Sequence, residues 1–368
     1  MTVVVLDVAV GGGWDAEWHR TRAFDGFFSP PHLLIYTLAT VAMALVARLV
    51  LRPELRRAFD DGRRALVVAG VRVPGPLVLL GGGMAGIALA GPLDAIWHTS
   101  FGLDETPWSV PHAMLGSSLL VIALGAVSCR LALEPHRRMR WWTMPLLGLL
   151  VLFGTLTLLG PFGNPSPAAV RAASMQGQLA YDLAAQHTFR IFLRWNLTRT
   201  NPVYVGLGAL WAGCAIGLLH TLLPRARAWV PVLFVFAVLI DAGAADNAAR
   251  LGLADDPATR SGLPILWAAL PILLAVRRWP VAAYAGCGAV FGLVAYAIWG
   301  RAEDPALGLL FLLLAPALGV AGGVVGSWTG RVVRSPYGPA PLLLVLGLVL
   351  AWPAMTGLLD LVLRTATP

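Results

Sequence analysis

Two segments of the sequence repeat one pattern of aspartate and histidine. The first reads WDAEWHRTRAFDGFFSPPHLL and the second reads LDAIWHTSFGLDETPWSVPHAML. Each contains D-A-x-W-H, a polar and aromatic stretch, and then S-x-P-H at the start of an apolar run. The pattern uses four of the seven histidines and forms two triads, which are Asp15, His19 and His32, and then Asp94, His98 and His112. Because so many identities recur together, we interpret the triads as one functional arrangement that is present twice.

The residue types in each triad are those that bind a metal ion. Residues four apart share one face of a helix, so Asp94 and His98 can point at the same place. His32 and His112 fall about three residues inside the next helix, and Ser29 is expected to cap the first of these helices. At such a position the helix dipole disfavours the imidazolium ion, and a neutral ring can donate its lone pair to a metal. Two imidazoles and one carboxylate leave coordination positions open for water or substrate.

The same residues admit other interpretations. A histidine at a membrane interface can simply cap a helix or bind a lipid headgroup, and the nearby Trp18, Trp97 and Trp108 suit an interfacial aromatic belt. In a transporter, the carboxylates and histidines would bind a substrate or a proton. As metal ligands they leave copper, zinc and iron open, and a zinc ion with an activated water would indicate a hydrolase. The triads could bind separate ions or combine into one two-metal site.

The triads resemble the motifs of the C subunit of the copper membrane monooxygenases, the particulate methane and ammonia monooxygenase family. The motif of that subunit runs D-x3-H-x12-H and is followed by N-x3-H-x13-H, and both spacings occur in this chain in that order, with Asp94 where the family has Asn. The resemblance covers about residues 14 to 115. Strings such as SPPH are also similar to those of uncharacterised actinobacterial multi-pass membrane proteins. The first resemblance implies copper at one or both triads, partner subunits, and oxidation of a small apolar substrate.

The composition indicates a membrane protein. Of the 368 residues, 58% are hydrophobic and 12% are charged, with a mean hydropathy of +0.74, which excludes a soluble domain of this length. No cleavable signal peptide is expected, and Cys129, Cys214 and Cys287 form no CxxC pair that would indicate a thiolate metal site. Every basic residue is arginine, and in a membrane protein this excess reports topology rather than nucleic-acid binding. The strings LGGGMAG and GVAGGVVG predict close helix packing.

Apolar runs of about 20 residues predict an all-α, polytopic transmembrane helical bundle of about ten spans. The expected spans are 33–52, 75–97, 112–133, 141–160, 201–223, 229–247, 262–277, 279–300, 305–330 and 338–363. Arginine-rich loops alternate with acidic loops, so the positive-inside rule places the arginines in the cytoplasm and both triads on the extracytoplasmic side. We therefore expect a multi-pass protein of the inner membrane that contacts the lipid bilayer. Its expected protein partners are other membrane subunits or further copies of the chain.

One membrane domain is expected over residues 1–368. Within it, residues 1–160 contain the triads, and residues 161–200 form a segment, mostly helical, on the outer surface. Residues 201–368 form a second helical half. The short loops outside 161–200 favour one compact domain over two.

Further polar residues are weaker candidates for the site. Asp182 and His187 in the outer segment could add ligands, although residues five apart diverge on an ideal helix. A faded third copy at 241–264 contains no histidine and predicts repeated two-helix units whose later copies lost their ligands. His220 lies far from the triads in this topology and is not expected to belong to the site.

Overall fold

A computed structural model describes part of the chain. The described residues are 27–60, 65–101, 110–133, 209–218, 220–222, 279–296, 305–334 and 340–351, together with Gly11, Trp14, Trp18, Gly206 and Ala354. At some of these positions, His98 and His112 among them, the description covers the backbone and not the side chain. The chain divides into two compact units. The described residues up to 133 and from 332 onwards belong to the first unit, and those from 206 to 331 belong to the second.

Helices dominate the described residues, with one short hairpin between the first two long helices. Helix α1 covers Pro30–Leu51, the short helix α2 covers Pro53–Arg56, and a 3-10 turn covers Arg57–Phe59. Strands β1 (Ala65–Val68) and β2 (Val71–Pro74) lead directly into helix α3 (Gly75–Phe101), and α4 covers Val110–Leu133. Helices α5 (Ala209–Leu222), α6 (Pro280–Ala295) and α7 (Pro305–Arg334) come next. Helix α8 (Ala340–Leu346) continues as a π-helical stretch over Gly347–Ala351.

Four of the described helices are long and apolar enough to cross a membrane. The crossing segments are Pro30–Leu51, Gly75–Trp97, Ala113–Leu133 and Gly308–Arg334. They confirm the prediction of a mainly helical membrane protein. Helices α5 and α6 are apolar but shorter. Because the predicted spans 141–160, 229–247 and 262–277 lie outside the described residues, the count of about ten spans and the repeated two-helix units stay predictions.

Helices α3 and α4 pack so closely that their backbones are in contact. A Cβ atom added at Gly125 would lie 2.7 Å from the backbone nitrogen of Leu80, and one added at Gly83 would lie 2.9 Å from the carbonyl oxygen of Ser118. Small residues at a helix interface permit such an approach. Gly83 belongs to LGGGMAG, so the close packing predicted for that string is confirmed. The side chains buried around this contact include Leu77, Leu79, Leu80, Ile122 and Leu124.

Helix α1 lies against α3 along one stripe of side chains. The buried residues Ile35, Ala39, Ala42 and Val46 recur every three or four positions, which is the spacing of one helix face. Near the start of α1, the Cε1 atom of Tyr36 lies 3.7 Å from a Cβ atom placed at Gly91, near the end of α3. The first turns of α1 therefore lie beside the last turns of α3.

The second unit also uses small residues where its helices meet. A Cβ atom added at Gly213 of α5 would meet the carbonyl oxygen of Gly319 of α7. Gly319 belongs to GVAGGVVG, so the close packing predicted for this second string is confirmed as well. Between α6 and α7, the hydroxyl groups of Tyr284 and Ser327 form a hydrogen bond of 2.8 Å. Such a bond satisfies two hydroxyl groups where lipid could not.

The hairpin of β1 and β2 departs from the all-α prediction, in which the spans 33–52 and 75–97 are joined only by an arginine-rich loop. The strands pair antiparallel, with Ala65 opposite Pro74 and Val68 opposite Val71. Ala69 and Gly70 form the two-residue turn, and their φ angles of 47° and 78° are both positive. Positive φ at both central residues is the hairpin geometry that matches the twist of the strands. Each strand has four residues, which is too short for the alternation of apolar residues to stand out.

Candidate metal site at the start of α1 and the end of α3

His32 is the third residue of α1, as the sequence predicts, and its side chain is only 9% exposed. Its ring stacks on Tyr36, with the ring centroids 5.5 Å apart and the planes 26° apart. Phe27 covers the same tyrosine, with the two ring centroids 4.8 Å apart. Aromatic packing of this kind fixes the imidazole in one orientation and keeps it out of bulk water.

Ser29 occupies the N-cap position of α1 but does not cap it as expected. The residue has a non-helical backbone, with φ −60° and ψ 152°, and its carbonyl accepts a 2.9 Å hydrogen bond from the backbone nitrogen of Leu33. Its side chain makes no cap hydrogen bond. Within the described structure, the Ser29 hydroxyl is buried and has no hydrogen-bond partner. A buried polar group without a partner is costly, so a hydroxyl three residues before His32 marks a place where a polar ligand would be favourable.

Asp94 lies near the end of α3, where its residue is half-buried. It follows Gly91 by nearly one helical turn, and Gly91 is the residue that faces Tyr36. On α1, His32 precedes Tyr36 by one turn. Because α1 starts beside the end of α3, both steps lead in the same direction, and His32 and Asp94 come to the same end of the helix pair.

His98 and His112 are placed by their backbones. Helix α3 continues past Asp94 as far as Phe101, so His98 lies one turn further on the same face, as the spacing predicts. Helix α4 begins at Val110, which makes His112 the third residue of its helix, the same position that His32 has in α1. The eight residues 102–109 join α3 to α4, so the second triad also belongs to this end of the first unit.

The other predicted ligands lie outside the described residues. They are Asp15 and His19 of the first triad, and Asp182 and His187 of the outer segment. Trp18, which precedes His19, is described, and its ring contacts Trp14 edge to face with the ring centroids 6.4 Å apart. Among the described side chains, no group of three or more His, Cys, Asp or Glu could bind a metal ion. Of the six triad residues, only His32 and Asp94 have described side chains.

The comparisons with known proteins return no relative. No family model, curated protein sequence or solved structure matches the chain. The resemblance to the copper membrane monooxygenases is therefore carried by the two motifs alone.

Sequence reasoning missed two residues that the structure places beside His32. Tyr36 stacks on its ring, and the only sequence signal for this contact is the spacing of four between two aromatic rings on one helix. Ser29 was expected to be a satisfied cap, and its partnerless hydroxyl depends on a backbone geometry that residue type does not reveal.

We expect Ser29→Ala to leave the thermal stability of the metal-free protein nearly unchanged. A serine that caps its helix contributes about 1 kcal/mol, but this hydroxyl makes no cap bond. Removing a buried hydroxyl that has no partner relieves its desolvation cost but leaves a small unfilled space, so the two effects nearly cancel. Thermal unfolding of the purified protein in detergent measures the effect. A loss of stability as large as that of a normal cap would contradict the geometry at this helix start.

Proposed function

We propose that the chain is an integral membrane copper-binding protein whose ligands come from the repeated Asp/His/His pattern. The observation that supports this most is the duplicated triad, with His32 and His112 as third residues of α1 and α4. A second supporting observation is that Tyr36 packs against Gly91. This contact brings the start of α1 and the end of α3, where Asp94 lies, to one end of the first unit. Imidazole and carboxylate donors admit copper, zinc or iron, and the resemblance of the two motifs to the copper membrane monooxygenases favours copper, with zinc the less favoured ion.

In this proposal, each described residue has a definite task. His32, the third residue of α1, presents an imidazole nitrogen as a donor. Tyr36 holds that ring in place by stacking, and burial of His32 keeps bulk water from the donor. Asp94, the carboxylate of the second triad, supplies negative charge to the bound ion, and Ser29 offers a hydroxyl to any polar ligand nearby. Bound copper would supply one-electron redox chemistry for the oxidation of a small apolar substrate. In the alternative role, the protein would take part in copper handling.

The proposal includes a topology. About ten spans would cross the inner membrane, both triads would face the extracytoplasmic side, and the helices would derive from repeated two-helix units. Other membrane subunits or further copies of the chain would complete the assembly. The four long described helices, which suit a lipid bilayer, support the membrane part of this proposal.

The continuity of the helices favours copper binding over transport. Transporters commonly bind substrate at broken helices in the middle of the membrane. Helix α3 contains Pro92 and helix α7 contains Pro316, yet each continues past its proline without interruption. The described candidate ligands, which are His32, Asp94, His98 and His112, also lie near helix ends rather than at mid-span. Within the described residues, these features suit a site at the membrane surface.

Elemental analysis of the purified protein tests the proposal. The protein is extracted from membranes without chelator, and copper, zinc and iron are counted per chain by mass spectrometry. We expect one or two copper ions per chain. Zinc in place of copper would contradict the choice of metal, and a protein without any of the three ions that moves protons in liposomes would favour the transporter.

A further inference from the structure

The hairpin of β1 and β2 lies where two membrane helices leave the bilayer. Helix α1 ends at Leu51, and β2 ends at Pro74, directly before α3 begins at Gly75. A strand of four residues is about 13 Å long at roughly 3.3 Å per residue. The whole hairpin therefore reaches no further than about 13 Å from these helix ends, so it lies in or next to the headgroup region, which is roughly 5–8 Å thick on each side of the bilayer.

One face of the hairpin is exposed and combines apolar with basic residues. Val67 pairs with Arg72 across the two strands, so both side chains lie on the same face. Val67 is 74% exposed, and the Arg72 side chain is 54% exposed. Val73, on the opposite face, is only 6% exposed and attaches the hairpin to the rest of the unit. Val68, next to the turn, is also exposed, but it alternates with Val67 along β1 and therefore lies on the opposite face.

The segment between α1 and the hairpin adds further positive charge. Three exposed arginines follow one another from the last turn of α1 to the 3-10 turn, namely Arg48, Arg52 and Arg57. Arg56 is used differently, because its guanidinium donates a 2.5 Å hydrogen bond to the carbonyl of Val50 at the end of α1. Among the described residues of this segment, two acids accompany them: Glu54 is exposed, and Asp60 lies 3.8 Å from the Arg72 guanidinium.

We propose that this surface, formed by Val67, Arg72, Arg48, Arg52 and Arg57, binds the anionic phospholipids of the adjacent leaflet. Val67 enters the upper acyl-chain region, and the arginines contact the phosphate groups. Apolar residues beside cations are the arrangement by which peripheral segments bind anionic membranes. The location of the hairpin at the helix ends favours lipid over a soluble protein as the occupant. The inference uses only the membrane helices and the hairpin, and is independent of copper.

Fluorescence quenching tests the position of Val67. Val67→Cys is labelled with bimane in nanodiscs, and Glu54→Cys provides a matched exposed site in the same segment. Labelling of the unaltered protein gives the background from the native cysteines, of which Cys129 and Cys287 are buried and Cys214 is half-buried. We expect lipids with a spin label high on the acyl chain to quench the probe at 67, and a water-soluble quencher to act mainly at 54. Equal quenching of both probes by the water-soluble agent would overturn the proposal and favour a protein partner.

Lipid binding tests the arginines. The detergent-solubilised protein is titrated with phosphatidylglycerol and with phosphatidylcholine, and the Arg48→Gln, Arg52→Gln, Arg57→Gln triple variant is compared with Arg331→Gln. Each arginine near an anionic surface is worth roughly fivefold in affinity, so the triple variant should bind phosphatidylglycerol about 100-fold more weakly. Arg331→Gln removes an exposed charge elsewhere and should change binding little. Unchanged binding in the triple variant, or no preference for phosphatidylglycerol, would overturn the proposal.

Discussion

Replacing His32 by alanine should weaken copper binding at the first triad by more than about 100-fold. Loss of a residue that merely orients a metal ligand typically costs 10- to 100-fold in affinity, so loss of a ligand should cost at least as much. His32 is buried and its ring stacks on Tyr36, whose phenol ring has no nitrogen that could replace the imidazole as a ligand. The affinity is measured by competition with a chelator of known copper affinity.

His220→Ala is the matched control for this substitution. His220 is a half-buried histidine on α5, outside both triads, so the same change of residue type is made in the second unit. Its copper affinity should equal that of the unaltered protein. If the two variants bind copper equally well, His32 is not a ligand.

Replacing Gly125 by valine should destabilise the protein by at least about 3 kcal/mol and lower its copper content. A Cβ atom at this position would lie 2.7 Å from the Leu80 nitrogen and 3.1 Å from the Leu79 carbonyl carbon. Both are backbone atoms, so α3 and α4 must separate, and overpacking that side chains can absorb already costs about 1–3 kcal/mol. Separation would displace Asp94 and His98 from His112. Unfolding in detergent and metal analysis measure the two effects.

Gly81→Ala is the control that distinguishes the clash between α3 and α4 from the general effect of replacing a helical glycine. A Cβ atom at Gly81 has no atom within 4 Å, and Gly81 lies in the same helix α3. Alanine in an open helical position should raise stability by up to about 1 kcal/mol. Equal stabilities of the Gly125→Val and Gly81→Ala variants would contradict the close contact between α3 and α4.

The long helices of the first unit could be predicted closely from the sequence. The predicted spans 33–52, 75–97 and 112–133 correspond to Pro30–Leu51, Gly75–Phe101 and Val110–Leu133. Long apolar runs without charge give a strong signal, because lipid requires every backbone group to be bonded within the helix. The extension of α3 by four residues is polar, and hydropathy does not detect it.

The hairpin could not be predicted in the same way. Its strands have four residues each and lie among arginines, so the positive charge predicts a cytoplasmic loop and the short apolar stretches give no visible strand pattern. The turn uses Ala69 at a positive φ, where glycine, asparagine or aspartate would have been the recognisable signal.

The candidate site was predictable in its positions but not in its contacts. The places of His32 and His112 within their helices follow from local rules about prolines and helix starts. That Tyr36 stacks on His32 and also approaches Gly91 depends on how α1 packs on α3. The spacing of residues within α1 contains no information about the distance between Tyr36 and Gly91, because Gly91 belongs to another helix.

Pulsed electron paramagnetic resonance of the copper(II)-loaded protein tests the central proposal most directly. Each bound copper ion should show nitrogen coupling from two imidazole rings, and His32→Ala should remove one ring from the first triad while His220→Ala leaves the spectrum unchanged. Copper without imidazole coupling, or coupling that persists when His19, His32, His98 and His112 are all replaced, would contradict the assignment of the repeated triads as copper ligands.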